Sequence, residues 1–363
     1  MCLNKKLMNR NFIYHILIDR FAGCNPKRKG RCFKGGNLLG IIKKLDYIKS
    51  LGCNGILLTP FYKTIEYHGY HITDYEQVDE HFGSWEDVQD LVKAVHKRGM
   101  SITADFVANH CHINNPLVAL HPDWFKKKQD GSLKCFYNIE YLPEFNLDKV
   151  GAQRYMVERM KQLCRFGFDA IRLDYAKGPS LSFWRKVREE IKKDYPNVLL
   201  IGEILGPPKG KHLPESLALQ VRSGEISRQE AWQLRYVGVL NGVLDFEYQS
   251  LMCKAAKSAE RITGNIVLET AVEKHFDRYA GYLDYQLWLL LDNHDFNRFL
   301  YECGGDVKLL KEAIAFSRNQ NYPYLLYYGT EKGMKHSGNR FSRESYADEQ
   351  VRECMEWNNS SIF

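Results

Sequence analysis

Eight times along this chain a short apolar run is followed by a longer amphipathic stretch. That alternation limits the possible folds more than any other feature. The runs cover residues 12–18, 55–59, 101–107, 170–173, 198–202, 242–246, 287–291 and 324–328. Each has the length and the β-branched or aromatic content of a strand buried on both faces. The spacing predicts helices over 37–51, 84–98, 153–166, 180–194, 268–278 and 306–318, with another from about residue 249. Ser84, followed three residues on by Asp87, reads as a capping box, and Gly99 closes that helix. Strands alternating with helices imply a parallel α/β sheet, and eight units fit a closed (β/α)8 TIM barrel. An open, doubly wound sheet is the alternative, but no Gly-rich dinucleotide loop follows any run. Residues 111–150 break the rhythm with Pro, Gly, Asn and aromatic residues. They read as a short insertion after strand three, leaving 1–110 and 151–363 for the barrel.

With 363 residues, 44% hydrophobic and 26% charged, the chain suits one large soluble domain. The net charge of +7 is spread over predicted helix faces. Lys126, Lys127 and Lys128 read as a solvated loop, so no nucleic-acid partner is expected. No run approaches about 18 apolar residues, so no membrane span is expected. Residues 1–10, M-C-L-N-K-K-L-M-N-R, hold no apolar core of a secretion signal. The ten cysteines form no C-x-x-C pair. They read as free thiols in a reducing, cytoplasmic compartment.

In a barrel, chemistry gathers on the loops at the C-terminal strand ends. After strand three come Asp105 to His110; after strand four, Arg172, Asp174 and Lys177. Strand five ends in Glu203, and strand seven in Asp292-Asn293-His294-Asp295. Arg172 and Asp174, two apart in a strand, project to one face. A guanidinium there should lower the Asp174 pKa, as a carboxylate nucleophile needs, although a structural ion pair would look the same. If Asp174, Glu203 and Asp295 converge, mutual repulsion should keep one of them protonated near neutral pH. That suits a retaining glycosidase, whose nucleophile and proton donor stand about 5–5.5 Å apart.

At these residues the chain resembles the α-amylase family of retaining α-glucan hydrolases and transglycosidases, from Tyr14 to about Trp357. D-F-V-A-N-H (105–110), G-F-D-A-I-R-L-D-Y-A-K (167–177), I-G-E (201–203) and D-N-H-D (292–295) are similar to its four motifs, in order. Weaker likenesses are Y-H-G-Y-x-x-x-D-Y (67–75), L-P-E-F-N (142–146) and Y-Y-G-T-E-x-G-M (327–334). The resemblance implies a catalytic trio: Asp174 as nucleophile, Glu203 as general acid and then base, and Asp295 binding ring hydroxyls of a distorted sugar. It also implies that Arg172 orients Asp174, that His110 and His294 donate to the sugar, and that Tyr70 stacks beneath it. Lys177 would join the substrate-binding set. The substrate implied is an α-1,4-linked glucan or maltooligosaccharide.

The chain departs from the family in three places. Gly178 stands where a histidine commonly follows the motif lysine. The insertion is short, so no cofactor is expected, although Asn109 is a possible calcium ligand. No strand pattern follows residue 328, so the family's C-terminal β domain is expected to be absent. Its loss would bare apolar surface near strands one and eight, to be covered by a second copy or another partner. Three other readings compete. A 4-α-glucanotransferase would use the same residues. A metal-dependent hydrolase is suggested by His110-x-His112 and His68-x-x-His71, but strands five and six offer Glu203 and Asp245 without histidine. A non-catalytic carbohydrate-binding or scaffold descendant is the third.

Overall fold

The apolar runs pair side by side because each is buried on both faces and has no solvent edge to present. The computed structural model describes residues 11–207, 211–258, 261–342 and 347–362, so the N-terminal decapeptide lies outside the described residues. In chain order the strands are β1 (Phe12–Ile16), β2 (Gly55–Leu58), β3 (Tyr62–Thr64), β4 (Ile72–Val78), β5 (Ser101–Val107), β6 (Ala170–Asp174), β7 (Leu199–Gly202), β8 (Gly242–Asp245), β9 (Gln286–Leu290) and β10 (Tyr324–Tyr327). Eight of them close a parallel barrel in the order β1-β10-β9-β8-β7-β6-β5-β2, and β1 pairs with both β2 and β10.

Strand parity splits the core into two layers. Ile13, Leu57, Ala170, Ile201, Leu244, Trp288, Leu290 and Leu325 form one buried cluster. Their neighbours, among them Tyr14, Ile56, Ile171, Leu200, Val243, Leu289 and Leu326, belong to the larger cluster shared with the helices. The smaller cluster fills the barrel interior. Residues two or four positions further along its strands share that inward face. This places Arg172 and Asp174 above Ala170, Glu203 above Ile201, and Asp292 above Leu290. The register aligns Asp105 with Arg172 across β5 and β6.

Helices begin where the side-chain signals place them. Ser84 and Asp87 complete the capping box of Trp85–Lys97, and Gly167, at φ 97°, turns the chain out of Val150–Phe166. Asp245 caps a helix that starts at Phe246, three residues before the expected start. β1 stops at Ile16, and a short helix, Ile18–Phe21, follows at once. The antiparallel hairpin β3–β4 was not read in the sequence; its strands alternate too weakly to stand out beside the barrel runs. Between β5 and the helix Val150–Phe166, isolated antiparallel bridges join Phe125 to Phe145 and Cys135 to Pro143. No helix among the described residues is long and apolar enough to cross a membrane.

One expectation changes. Cys24 is bonded to Cys354, 330 residues away, instead of being a free thiol. Barrel closure explains the encounter: β1 lies beside β10, so the loops after these strands are neighbours. The segment after β10 covers part of the surface near β1. Trp357 packs on Phe21 and Tyr47 with ring centroids 5.0 and 5.2 Å apart, and its indole N–H donates to the Phe21 carbonyl.

Away from the barrel mouth, His275 is buried between two carboxylates. Its Nδ1 lies 2.6 Å from Glu230 Oε1 and its Nε2 lies 2.8 Å from Asp245 Oδ2. Burial alone would lower its pKa, but Asp245 and then Glu230 outweigh that and push it up to about 10. The imidazolium thus ties the helices Arg228–Leu234 and Ile266–Asp277 to the end of β8. Because the folded pKa lies above the unfolded value of about 6.5, this stabilisation is complete below pH 6.5 and is lost as pH rises through 10. His275→Gln should therefore cost about 3–5 kcal/mol at pH 6 in denaturant unfolding. The gap to wild type should narrow towards pH 10; a gap that stays constant over that range would contradict the assignment.

Candidate active site

One guanidinium organises the barrel mouth. Arg172 is 1% exposed and faces three carboxylates. Its Nη1 donates to both Asp105 oxygens, at 2.8 and 2.7 Å, and to Asp174 Oδ1 at 2.9 Å. Its Nη2 lies 2.8 Å from Glu203 Oε1, as an ion pair without hydrogen-bond geometry. The sequence expectation was that Arg172 would lower the Asp174 pKa. The net shift is the reverse. Burial, then Glu203, Asp105 and Asp295, raise Asp174 well above the ordinary range, and Arg172 only partly offsets them. Asp105 is raised as well, by burial, against Arg172 and Tyr70. A single cation divided among three acids cannot neutralise them all, so Asp105 and Asp174 are both held above the ordinary carboxylate range.

Asp295 stands apart from this set. Its Oδ1 accepts from Arg352 Nη2 at 2.9 Å, with Arg340 Nη2 at 3.8 Å, and its Oδ2 lies 3.0 Å from His294 Nε2. Burial pushes its carboxyl up, but His294, Arg352 and Arg340 together hold it well below the ordinary range. The mouth therefore pairs two acids held above the ordinary range with a carboxylate held below it, the separation of roles that acid–base chemistry uses.

Asp174, Glu203, Asp295, Tyr70, His110, Lys177 and His294 all line one cavity of about 490 Å³, within the usual small-ligand range. Arg172 sits beneath it. Tyr70 donates to Asp105 Oδ2 at 2.8 Å, and its ring stacks on His294 with centroids 5.1 Å apart. His110 is stacked on Phe136 at 4.2 Å, and burial drives its pKa down to about 3, so its ring is neutral. Nδ1 of His110 and of His294 is buried without a partner. Both imidazoles line the cavity, so each ring can meet a ligand's hydroxyls. Lys177 donates its ammonium to the Leu205 carbonyl, and burial lowers its pKa. It buttresses the Glu203 wall as well as lining the cavity.

Gly178 has a steric reason to be glycine. A Cβ there would lie 2.1 Å from Asn109 Oδ1 and 2.7 Å from the Tyr175 ring. Asn109 is buried, and its Oδ1 is crowded by Gly178. No group of three or more His, Cys, Asp or Glu side chains among the described residues could hold a metal ion. The histidine pair His68 and His71, with rings 4.7 Å apart, likewise has no acidic or cysteine partners for a metal.

Sequence reasoning passed over Asp105, Tyr137, Tyr175, Arg340 and Arg352. Asp105 opens a motif that was read for its histidine, and Arg352 lies in R-E-C-M-E-W (352–357), where no strand announced it. Tyr137 and Tyr175 owe their place to backbone conformation, which leaves no composition signal.

Comparison with known proteins agrees with this architecture. Residues 15–139 and 123–362 match the family model of the α-amylase catalytic domain. "Alpha-amylase 2" of Dictyoglomus thermophilum is 33% identical over 340 residues, covering 89% of this chain and 55% of that protein. A cyclomaltodextrinase of Geobacillus thermopakistaniensis is 28% identical over 374 residues, covering 95% of this chain and 58% of the relative. The chain thus spans little more than half the length of these relatives. The crystal structure of an α-amylase from Geobacillus thermoleovorans, complexed with acarbose, superposes with a TM-score of 0.76 at 26% identity. It covers 97% of this chain and 75% of that one.

Arg172→Met should leave three buried carboxylates without their cation and cost about 3–5 kcal/mol at pH 7. The acids would then bind protons more readily folded than unfolded, so the deficit should shrink as pH falls towards 4. Denaturant unfolding across that range checks it, and a deficit independent of pH would contradict it.

Proposed function

The chain belongs to the α-amylase family, and on that premise we propose that it is a retaining glycoside hydrolase of α-1,4-linked glucans or maltooligosaccharides. The observation that carries this reading is the meeting of Asp174, Glu203 and Asp295 around one cavity that His110 and His294 also line. A glucose ring seated there stacks on Tyr70, and its hydroxyls hydrogen-bond to His110 and His294. Asp295, held ionised, binds further hydroxyls and offsets positive charge as the anomeric centre flattens. Asp174 attacks the anomeric carbon while Glu203 gives a proton to the departing glycosidic oxygen. Glu203 then takes a proton from the attacking water, and the Asp174 ester is released with retention. Arg172 holds both carboxyl groups in register throughout.

A 4-α-glucanotransferase shares every step up to the glycosyl-enzyme and differs in whether water or a sugar hydroxyl attacks it. The apolar side chains near Glu203, Leu205 and Tyr137 among them, are the observation that keeps this second reading.

Two variants and two substrates test the roles. Asp174→Asn should lose roughly 10³-fold or more in kcat on both maltotriose and α-glucosyl fluoride. Glu203→Gln should lose about 10²–10⁴-fold on maltotriose, but far less on the fluoride, which leaves without a proton. Near-normal turnover in Asp174→Asn, or equal losses on both substrates in Glu203→Gln, would overturn the assignment. We also propose that no calcium is needed. Activity should survive dialysis against EDTA, and a loss restored by added calcium would contradict this.

A further inference from the structure

Two of the arginines that line the cavity sit on chain arms outside the barrel strands. Arg31 belongs to the loop between the helices Ile18–Phe21 and Leu38–Ser50, and Arg352 belongs to the segment after β10. The first arm contains no helix or strand. The second, from the end of β10 to Trp357, forms only two short 3₁₀ turns among its described residues, Thr330–Lys332 and Glu349–Val351. Without a hydrogen-bond ladder of its own, each arm takes its position from what it touches.

The arms meet along one seam. Arg20 Nε donates to the Arg352 carbonyl at 2.9 Å and Nη1 to the Cys32 carbonyl at 3.1 Å, and the Met355 amide donates to the Arg20 carbonyl at 2.8 Å. Lys34 Nζ donates to Glu353 Oε2 at 2.9 Å. Arg31 stands 3.9 Å from both Asp348 and Glu349, too far for a hydrogen bond. The Cys24–Cys354 bond crosses the same seam, two residues past Arg352.

Arg352 is what this seam delivers to the site. Its Nη2 donates to Asp295 Oδ1 at 2.9 Å, its Nε to the His294 carbonyl at 2.8 Å and its Nη1 to Asp348 Oδ2 at 3.0 Å. The seam therefore places both the cation beside Asp295 and the wall of the cavity formed by Arg31, Asp348 and Arg352. Its covalent element is open to attack from one side. Cys24 is half-buried, whereas Cys354 is 6% exposed.

We propose that the Cys24–Cys354 bond is a redox-sensitive clamp on the site, holding Arg352 against Asp295 when formed and releasing it when cut by a dithiol. The proposal rests on the glycosidase reading and adds regulation to that site. A thiolate of the reductant attacks the Cys24 sulfur, the S–S bond breaks, and Cys354 leaves as a thiolate that takes up a proton. The second thiol of the reductant gives up its proton and displaces Cys24 from the mixed disulfide. Two protein thiols form as the dithiol becomes a disulfide, a two-electron exchange that an oxidised dithiol reverses. With the bond cut, hydrogen bonds alone hold the seam, and the segment beyond β10 regains the freedom that the closed loop denied it.

The test measures kcat/KM on maltotriose at a temperature where circular dichroism shows the reduced protein folded. Mass spectrometry of thiol-blocked digests follows the Cys24–Cys354 pair. Dithiothreitol should lower kcat/KM by about tenfold, as loss of one hydrogen bond between charged groups implies, and oxidised dithiothreitol should restore it. Cys24→Ser should start at the lower value and ignore dithiothreitol. Arg352→Ala should also be low, and reduction should lower it no further, because the clamp acts through that side chain. Equal kcat/KM in oxidised and reduced wild type overturns the clamp, as does a bond that is absent from the air-oxidised protein. A reduction loss in Arg352→Ala as large as in wild type overturns it too, since the bond would then be merely structural. So does a reduced protein that is unfolded at every temperature where the oxidised one is active. A wild type that turns over neither maltotriose nor α-glucosyl fluoride overturns the glycosidase reading and the clamp with it. Turnover that ignores reduction removes the clamp alone.

Discussion

A single buried arginine sets the terms for this molecule. Strand parity turns Arg172 into the barrel, and barrel closure brings Asp105, Asp174 and Glu203 to it from three adjacent strands. Four charged groups out of water would be intolerable unless paired, since an isolated buried ion is far too costly to keep. Pairing is incomplete here, with three acids against one cation. The surplus helps to raise Asp105 and Asp174 above the ordinary carboxylate range. Function and stability thus pull on the same residue, which fixes the acids in place and leaves them short of neutralisation.

Asp295 shows the opposite arrangement a few ångströms away. It is well supplied with partners, with His294, Arg340 and Arg352 all turned towards it. Arg352 belongs to the segment after β10, which is tied back by the Cys24–Cys354 bond and by Trp357 on Phe21. The electrostatics of the mouth are therefore completed by residues nearly two hundred positions from the motif that carries Asp174. The core below stays apolar, as an interior layer filled by Ile13, Leu57, Ile201 and Trp288 requires.

The barrel was legible in the sequence because its signal is repeated: eight apolar runs, each long enough to read and each followed by a capped amphipathic segment. The candidate site side chains were legible for a related reason, since chemistry on this fold sits at strand ends and the acids stand at the ends of those runs. What escaped detection was either non-local or conformational. The Cys24–Cys354 bond depends on β1 lying beside β10, and no local pattern around either cysteine encodes that. The raised pKa of Asp174 was hidden by reading Arg172 as its private partner, when Asp105 and Glu203 share it. Tyr137 and Tyr175 are ordinary tyrosines in composition, and only their left-handed backbone sets them apart. Gly178 looked like a loss in the sequence, yet the packing of Asn109 and Tyr175 leaves room for nothing larger.

The account stands on two carboxyl groups bridged by one guanidinium at the wall of one cavity. The stereochemistry of the first product reports this directly. Proton NMR of the reducing sugar released from a maltooligosaccharide, recorded before mutarotation equilibrates the anomers, should show the α-anomer in excess. An initial excess of the β-anomer would mean that water attacks the sugar from the opposite face, and Asp174 could not be the nucleophile described here.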